Sequence, residues 1–200
     1  MWISERSILV RTLTAALAGG TLLAVSGCST LRSDAKALMD FGDRHGESTV
    51  FRGLGESDGY LPSGTSLSPF DAVHPALTNL DPALRAALRS AAADAQEDGI
   101  RMVVTSGWRS APYQKSLLDN AVRTYASEDE ARRWVNTPER STHVSGDAVD
   151  IGPTDADSWL AQHGERYGLC QTYANEMWHF ELATVPGGSC PAQIDDASVG

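Results

Sequence analysis

The stretch Ser141 to Asp150, STHVSGDAVD, decides the fold because it joins a tight turn to the start of a buried strand. Gly146 and Ala148 are small, so the chain can pass close to a bound group without crowding it. An apolar run around Asp150 ends at the following Gly-Pro pair, which predicts a short buried strand. A lone carboxylate in such a strand is costly unless it meets a cation or several hydrogen-bond donors. We therefore expect Asp150 to be a functional residue.

A second strand is predicted at 178–182, WHFEL, where polar and apolar residues alternate. Successive side chains of a strand point to opposite faces, so His179 and Glu181 would share one face and the apolar residues the other. Glu176 precedes this strand and falls in the predicted turn, from where its carboxylate can reach back towards His179. This block therefore adds an imidazole and two nearby carboxylates to the candidate site.

Together, His143, Asp150 and His179 form a ligand set that suits zinc. Two neutral imidazoles and one carboxylate fill three corners of a tetrahedron and leave the fourth for water, as in catalytic zinc sites. A single histidine in a strand is more often a core or surface residue, but here the spacings H-x6-D and E-x-x-H occur together. Zinc is inferred from ligand type, since other divalent metals accept the same set. The pattern predicts a metal-dependent hydrolase.

Three motifs resemble those of a known family. They are SGWRS at 106–110, S-x-H-x-x-G-x-A-x-D at 141–150 and E-x-W-H at 176–179, and they follow one another in this order. The chain from about residue 77 to residue 182 thus resembles the zinc D,D-peptidases of bacterial cell walls, especially VanY-type D-alanyl-D-alanine carboxypeptidases and VanX-type dipeptidases.

The resemblance implies a role for the residues of each motif. His143, Asp150 and His179 would be the ligands of one Zn²⁺. Glu176 would be the general base, and Arg109 the cation that faces the reacting carbonyl. The alternative for Arg109 is an ordinary surface arginine or a salt bridge.

Other polar side chains near the motifs have two interpretations each. Glu181 is a rival for the general base, or it orients the His179 ring from outside the ligand set. Ser141 and Gln114 are candidates for holding the backbone or terminal carboxylate of the substrate, and equally for a loop cap and a helix surface. The histidines without a partner motif are expected to be structural or exposed, namely His45, His74 and His163.

The resemblance also implies a substrate, the stem peptides of peptidoglycan, with the terminal D-Ala-D-Ala bond as the target. The HFEL sequence at 179–182 is similar to related L-alanyl-D-glutamate endopeptidases, which tend to carry aspartate in place of Glu176. An L,D-carboxypeptidase of the same superfamily is a further alternative. A metal-free module that only binds peptidoglycan would have lost a ligand, and none is lost here.

The first 27 residues predict a secretory signal, with basic residues before an apolar stretch too short to span a bilayer comfortably. The sequence VSGC at 25–28 resembles a bacterial lipoprotein cleavage box, which implies a lipid on Cys28. A plain signal peptide with an incidental cysteine is the alternative. Residues 28–59 are polar and predict a tether, so we expect an extracytoplasmic lipoprotein that faces the cell wall.

The remaining cysteines, Cys170 and Cys190, can pair in an oxidising compartment. Their bridge would close a loop of about 20 residues around the E-x-W-H strand. A cysteine ligand to zinc is the alternative, although neither cysteine has a C-x-x-C partner. A disulfide between these two cysteines would be consistent with the predicted export of the protein.

The net charge of -10 limits the partners of the chain. An acidic surface argues against nucleic-acid binding and against electrostatic capture by anionic lipid, so membrane attachment would rest on the lipid at Cys28. Nothing in the sequence indicates a repeat, and we expect a monomer.

The coarse pattern predicts an α+β domain at 60–190, with a small antiparallel sheet, helices packed on one side and the zinc site in a cleft at the sheet. Helices are predicted at about 82–98, 112–125, 128–135 and 155–165. The Gly-, Ser- and Pro-rich segment 51–74 is a candidate for covering the cleft, and equally for a solvated tether. Residues 191–200 are predicted to form a flexible tail.

Overall fold

A four-stranded antiparallel sheet lies at the centre of the domain in the computed structural model, which describes residues 53–199. The strands are β1 (Val103–Ser106), β2 (Ala148–Gly152), β3 (Leu169–Gln171) and β4 (His179–Leu182). Their order across the sheet is β1-β2-β4-β3, and every neighbouring pair is antiparallel. The sheet and its helices confirm the predicted α+β class.

Six α-helices are described, and most begin where the sequence offers a capping residue or a proline. They are α1 (Pro75–Thr78), α2 (Pro82–Glu97), α3 (Ala111–Tyr125), α4 (Glu128–Arg132), α5 (Thr142–Ser145) and α6 (Thr154–His163). Asp81 caps α2, since its carboxylate accepts hydrogen bonds from the N–H groups of Ala83 and Leu84. The helix predicted at 128–135 ends earlier, at Arg132, and the one predicted at 155–165 continues past α6 as a 3₁₀ turn (Gly164–Tyr167).

The hydrophobic core lies between one face of the sheet and the helices α2 and α6. Each element contributes alternate or i, i+4 positions to it, as the strand and helix periods require. The sheet supplies Val104, Val149, Ile151, Leu169 and Phe180, and the helices supply Leu84, Leu88, Ala91, Trp159 and Leu160. Burying one such large side chain stabilises the fold by about 1.5–3 kcal/mol.

The opposite face of the sheet carries the polar residues. Val149 and Phe180 point to the helices, so their neighbours Asp150 and His179 point away from them. These two residues are also cross-strand partners in the register of β2 and β4. The packing of the core face therefore places a carboxylate beside an imidazole on the other face.

The N-terminal edge of the domain begins earlier than predicted. A 3₁₀ turn at Glu56–Asp58 packs against the start of α3, where Ser110 donates its hydroxyl to Asp58 Oδ1 over 2.7 Å. Gly59 follows with φ +78°, and a Cβ there would stand 2.0 Å from the backbone oxygen of Trp108, so only glycine fits. The last residues of the predicted tether at 28–59 thus belong to the domain, and residues 28–52, like the predicted signal at 1–27 and Cys28, lie outside the described residues.

The C-terminal residues also differ from the prediction of a flexible tail at 191–200. Ile194 pairs with the chain at Tyr173, and Asp196 and Ala197 are buried. The reason is a set of polar contacts to distant loops, which no local pattern reveals. Cys170 and Cys190 form a disulfide with their Cα atoms 5.7 Å apart, and Cys190 directly precedes this segment.

Within residues 53–199, no helix has the length and apolar character that crossing a membrane requires.

Candidate metal centre

Three buried side chains from three elements converge on the polar face of the sheet. His143 comes from α5, Asp150 from β2 and His179 from the first position of β4. His143 Nε2 and His179 Nδ1 each lie 3.3 Å from Asp150 Oδ1, and one ligand atom of each residue lies within 4.8 Å of the others. The edges of a tetrahedron with metal–ligand bonds of about 2.0–2.1 Å are about 3.3 Å long. The spacing therefore suits one small cation.

Two of these ligand atoms have no polar partner of good geometry. Asp150 Oδ1 and His179 Nδ1 are buried, and their closest polar contacts, at 3.3 Å, are within the ligand set itself. An unsatisfied buried polar atom costs about 1–3 kcal/mol, and more when it is charged. A divalent cation would satisfy both at once, so the residues present fit a metal.

Each imidazole is oriented through its second nitrogen. His143 Nδ1 lies 2.8 Å from the carbonyl oxygen of Gly107, and His179 Nε2 lies 2.9 Å from Glu181 Oε1. Both partners only accept, so both outer nitrogens must donate and the inner nitrogens keep their lone pairs for a metal. Thr142 holds Glu181 in turn by donating its hydroxyl to the same carboxylate over 2.9 Å. Glu181 thus orients His179.

Arg109 binds only one of the two oxygens of the Asp150 carboxylate. Its Nη2 donates to Asp150 Oδ2 over 2.7 Å, which leaves Oδ1 for a metal ion. Its Nε donates to Ser106 Oγ and its Nη1 to Gln114 Oε1. Of its five N–H groups, two have no described partner and are available to a ligand. Arg109 is therefore a cation held beside the candidate ligand set rather than an exposed surface arginine.

Glu176 lies beside the candidate metal ligands in the loop before β4. Its Oε2 is 3.9 Å from His179 Nδ1, and only 7 % of the residue is exposed. Burial raises the pKa of Glu176 to about 7. A carboxyl group with that pKa exchanges protons readily at neutral pH, as a general base requires.

The charges of the ligand set are strongly coupled. Burial favours the neutral form of Asp150, but His143, His179 and Arg109 outweigh it and hold the pKa of Asp150 well below its usual range. Burial also lowers the pKa of His143. The pKa of His179 is raised to about 9, because hydrogen bonds to Asp150 and Glu181 outweigh the effect of burial. A proton on His179 would therefore compete with a metal ion for Nδ1.

Residues 77–184 match the family model of VanY, D-alanyl-D-alanine carboxypeptidase. The chain belongs to this family. A curated relative, the D-alanyl-D-alanine carboxypeptidase of Enterococcus faecalis (strain ATCC 700802 / V583), is 30 % identical over 116 residues, which cover 46 % of this chain and 43 % of the relative. The VanY-family chain thus spans less than half the length of that relative.

Two solved structures are similar to this VanY-family chain. A mutant of the D,D-pentapeptidase VanY from the VanB-type resistance cassette, in complex with Zn(II), is 25 % identical with a TM-score of 0.48 and covers 55 % of this chain and 73 % of its own. The L,D-carboxypeptidase DacB of Streptococcus pneumoniae is 26 % identical with a TM-score of 0.44, and the match covers 55 % of this chain and 68 % of the DacB chain.

The VanY-family ligand set opens into a cavity of about 630 Å³. Its walls include residues 59–66, the cleft face of β1 and the loop that bears Glu176. Residues 59–66 are held by a bridge in which Leu67 and Val104 exchange two backbone hydrogen bonds of 2.9 Å. This part of the segment 51–74 therefore forms a wall of the cleft and is not a solvated tether.

Ser141 and Gln114 both line the cavity but differ in what they have free. Ser141 is buried at the start of α5, and its side chain makes no capping bond to the described helix. Gln114 uses both ends of its amide, since it accepts from Arg109 and donates to the carbonyl of Asn136 over 2.9 Å. Ser141 is thus free to meet a ligand, whereas Gln114 holds Arg109.

Two histidines outside the centre have structural partners. His74 Nδ1 accepts from the N–H of Ala76 at the start of α1. His163 stacks on Trp159 at 4.5 Å between ring centroids and lies 2.8 Å from its carbonyl oxygen. His45 lies outside the described residues.

Sequence reasoning missed Asn136, Tyr173 and Ala197, which also line the cavity. None of them belongs to a motif with metal or acid-base chemistry. The only available signal was the polarity of Asn136 in an otherwise apolar run, WVN at 134–136, and this does not indicate where the Asn136 side chain points. Their places depend on contacts over long sequence distances.

Proposed function

We propose that this VanY-family protein is a zinc-dependent peptidase that removes the terminal D-alanine from peptidoglycan stem peptides ending in D-Ala-D-Ala. The observation that carries the proposal is the convergence of His143 Nε2, Asp150 Oδ1 and His179 Nδ1, the last two buried without a well-formed hydrogen bond. The matched family and the curated relative, both described as D-alanyl-D-alanine carboxypeptidases, support the choice of bond.

His143, Asp150 and His179 would hold one Zn²⁺ and leave one coordination position open. When bound, zinc lowers the pKa of a water molecule to near 7 and polarises a carbonyl group. The protein contributes the geometry, because the Gly107 carbonyl and Glu181 fix the tautomers of the two imidazoles. Arg109 keeps the second oxygen of Asp150 occupied.

Glu176 is the proposed general base. Its raised pKa of about 7 lets it take a proton from the attacking water and return it to the leaving amine of D-alanine within one cycle. Glu181 is less suited to this step, since its carboxylate already accepts from His179 and Thr142. The two carboxylates thus have different tasks, set by their surroundings.

Arg109 is proposed to stabilise the negative charge that develops on the scissile carbonyl oxygen. Its bonds to Asp150, Ser106 and Gln114 fix the guanidinium before the substrate arrives. Losing one such preorganised donor typically costs about 2.7–4 kcal/mol in the barrier. Ser141 is proposed to donate its free hydroxyl to the terminal carboxylate of the peptide, and Gln114 to serve the substrate by fixing Arg109.

The proposed site of action is outside the cytoplasmic membrane. The lipoprotein-like signal at 1–27 would leave a lipid on Cys28, and residues 28–52 would connect it to the domain as a tether. The Cys170–Cys190 disulfide suits an oxidising compartment. We propose a monomer that reaches the cell wall from the membrane surface.

Digestion of purified muropeptides with mass analysis tests the proposal. We expect zinc-dependent loss of a single D-alanine from pentapeptides, abolished by Glu176→Gln. Release of D-alanine from tetrapeptides only would support an L,D-carboxypeptidase, and cleavage after L-alanine an endopeptidase. Intact peptides that stay bound to the zinc-loaded protein would instead indicate a binding module and overturn the proposal.

A further inference from the structure

The chain beyond the family match returns to the metal centre. The match ends at residue 184, yet the segment 191–199, here called the C-terminal strap, reaches the cavity, where Ala197 forms part of the wall. The strap directly follows Cys190, which the disulfide fixes to β3 through Cys170. Within the strap only Asp196 and Ala197 are buried, at 5 % and 4 % exposed, so these two residues anchor it to the domain.

One side of the strap holds the loop that carries Glu176. Ile194 donates its N–H to the carbonyl of Thr172 over 3.0 Å and accepts from the N–H of Ala174 over 2.9 Å. These two bonds flank Tyr173, whose carbonyl accepts from the N–H of Glu176. The strap therefore fixes the backbone from which the proposed base projects.

The other side of the strap is bound to the segment after α4. Asn136 Nδ2 donates to the carbonyl of Ala197 over 2.9 Å, and Arg133 Nε donates to Asp196 Oδ2 over 2.8 Å. The Asp196 carboxylate is held in place within the strap, because its Oδ1 accepts hydrogen bonds from both the N–H and the hydroxyl of Ser198. The strap thus joins two loops that are distant in sequence.

From Asn136 a chain of hydrogen bonds leads to the metal ligand. The carbonyl of Asn136 accepts from Gln114 Nε2, and Gln114 Oε1 accepts from Arg109 Nη1. Arg109 then donates to Asp150. Gln114 is 1 % exposed and bonded at both ends, so the position of Asn136 contributes, with Ser106 and Asp150, to where the guanidinium of Arg109 lies.

We propose that the C-terminal strap is a working part of the site, and that Asn136 is a positioning residue that transmits the place of the strap to Arg109. The inference rests on the proposed function for its catalytic meaning. Its structural content, the relay from Ala197 through Asn136 and Gln114 to Arg109, stands independently of which bond is cut.

The first test does not need activity. In the zinc-loaded protein, NMR of the arginine Nε–H and glutamine side-chain amide signals follows Arg109 and Gln114 directly. Asn136→Ala, and removal of residues 191–200 with Cys190 retained, should shift both signals and accelerate their exchange with water. Gln162→Ala, which truncates an amide on the exposed face of α6, is the control and should change neither. Unchanged Arg109 and Gln114 signals in folded Asn136→Ala would overturn the proposal.

The second test is a kinetic double-mutant cycle on a pentapeptide. Asn136→Ala should lower kcat by about 10-fold with a smaller change in KM, because a small misplacement of a catalytic group costs that much or more. In an Arg109→Ala background the same change should have little effect, since the residue it positions is gone. An equal loss in both backgrounds would show a merely structural role and refute the relay.

Two safeguards separate the possible failures. If Asn136→Ala does not fold, Asp196→Asn weakens the same attachment without removing volume, and the same signals and cycle apply. If the wild-type protein cuts no wall peptide but the Arg109 signals still respond to the strap, the proposed function fails and the positioning role stands.

Discussion

Replacing Glu181 with glutamine should weaken zinc binding in a way that depends on pH. Glu181 Oε1 lies 2.9 Å from His179 Nε2 and makes the ring a better base towards both a proton and zinc. Loss of such an outer partner typically lowers metal affinity by about 10–100-fold, or about 1.4–2.7 kcal/mol. Glutamine keeps the shape and can still accept the hydrogen bond, so the change isolates the charge.

The pH dependence follows from the proton on His179. Its pKa is raised to about 9, so at pH 7 most of the metal-free protein carries a proton on His179 that zinc must displace from Nδ1. Wild-type affinity should therefore rise about tenfold per pH unit from pH 7 and level off above pH 9. In Glu181→Gln the proton is also held more weakly, so its deficit should be largest near pH 9 and shrink towards pH 7.

Competition with a chelator of known affinity, run on metal-free protein between pH 6.5 and 9.5, measures these curves. Glu97→Gln, at the exposed end of α2 on the far side of the sheet, is the matched control and should follow the wild type. Equal affinities for Glu181→Gln and wild type at pH 9, or a deficit that does not change with pH, would refute the assignment of Glu181 as the partner of His179.

Three further changes should alter stability. Burial raises the pKa of Asp157 to about 7, above the unfolded value of about 3.9, so the folded state loses stability as pH rises between these values. In urea unfolding, Asp157→Asn should therefore increase the free energy of unfolding by about 1 kcal/mol at pH 8, allowing for partial solvent screening, and leave it unchanged at pH 4. In Gly107→Ala a Cβ would stand 2.2 Å from a backbone oxygen of α1, so denaturation should show a loss of about 2 kcal/mol, and calorimetry weaker zinc binding because the carbonyl that orients His143 moves. Replacing Cys170 and Cys190 by serine should cost about 3 kcal/mol for a loop of separation 20, and reductant should then no longer affect thermal unfolding.

The convergence of the metal centre was predictable because each part of it has a local signal. Alternation along 178–182 placed His179 and Glu181 on one face, and the structure has them 2.9 Å apart. The costly carboxylate at Asp150 indicated a partner, and it meets Arg109 and two imidazoles. Residue type, spacing and strand period were sufficient, since all three are written in short stretches of sequence.

The walls of the cleft were not predictable in the same way. The strap and the segment 59–66 are held by small sets of contacts between residues far apart in the chain, such as the hydrogen bond from Asn136 to Ala197 across 61 residues. Polar residues in Gly-, Ser- and Pro-rich segments have the same composition whether they pack or are solvated. Only the folded partners decide between these outcomes.

The register between β2 and β4 determines both the packing of the core and the placement of two candidate metal ligands. Asp150 and His179 are cross-strand partners only in the register that also pairs Val149 with Phe180, and a slip by one residue would turn both ligands into the core. The apolar contacts of Val149 and Phe180 with α2 and α6 oppose that slip, because it would expose them and bury a charge. The hydrophobic face thus fixes the distance between ligand atoms on the polar face. The distance between Asp150 and His179 should therefore tolerate changes in distant loops, as long as the packing behind the sheet keeps the register.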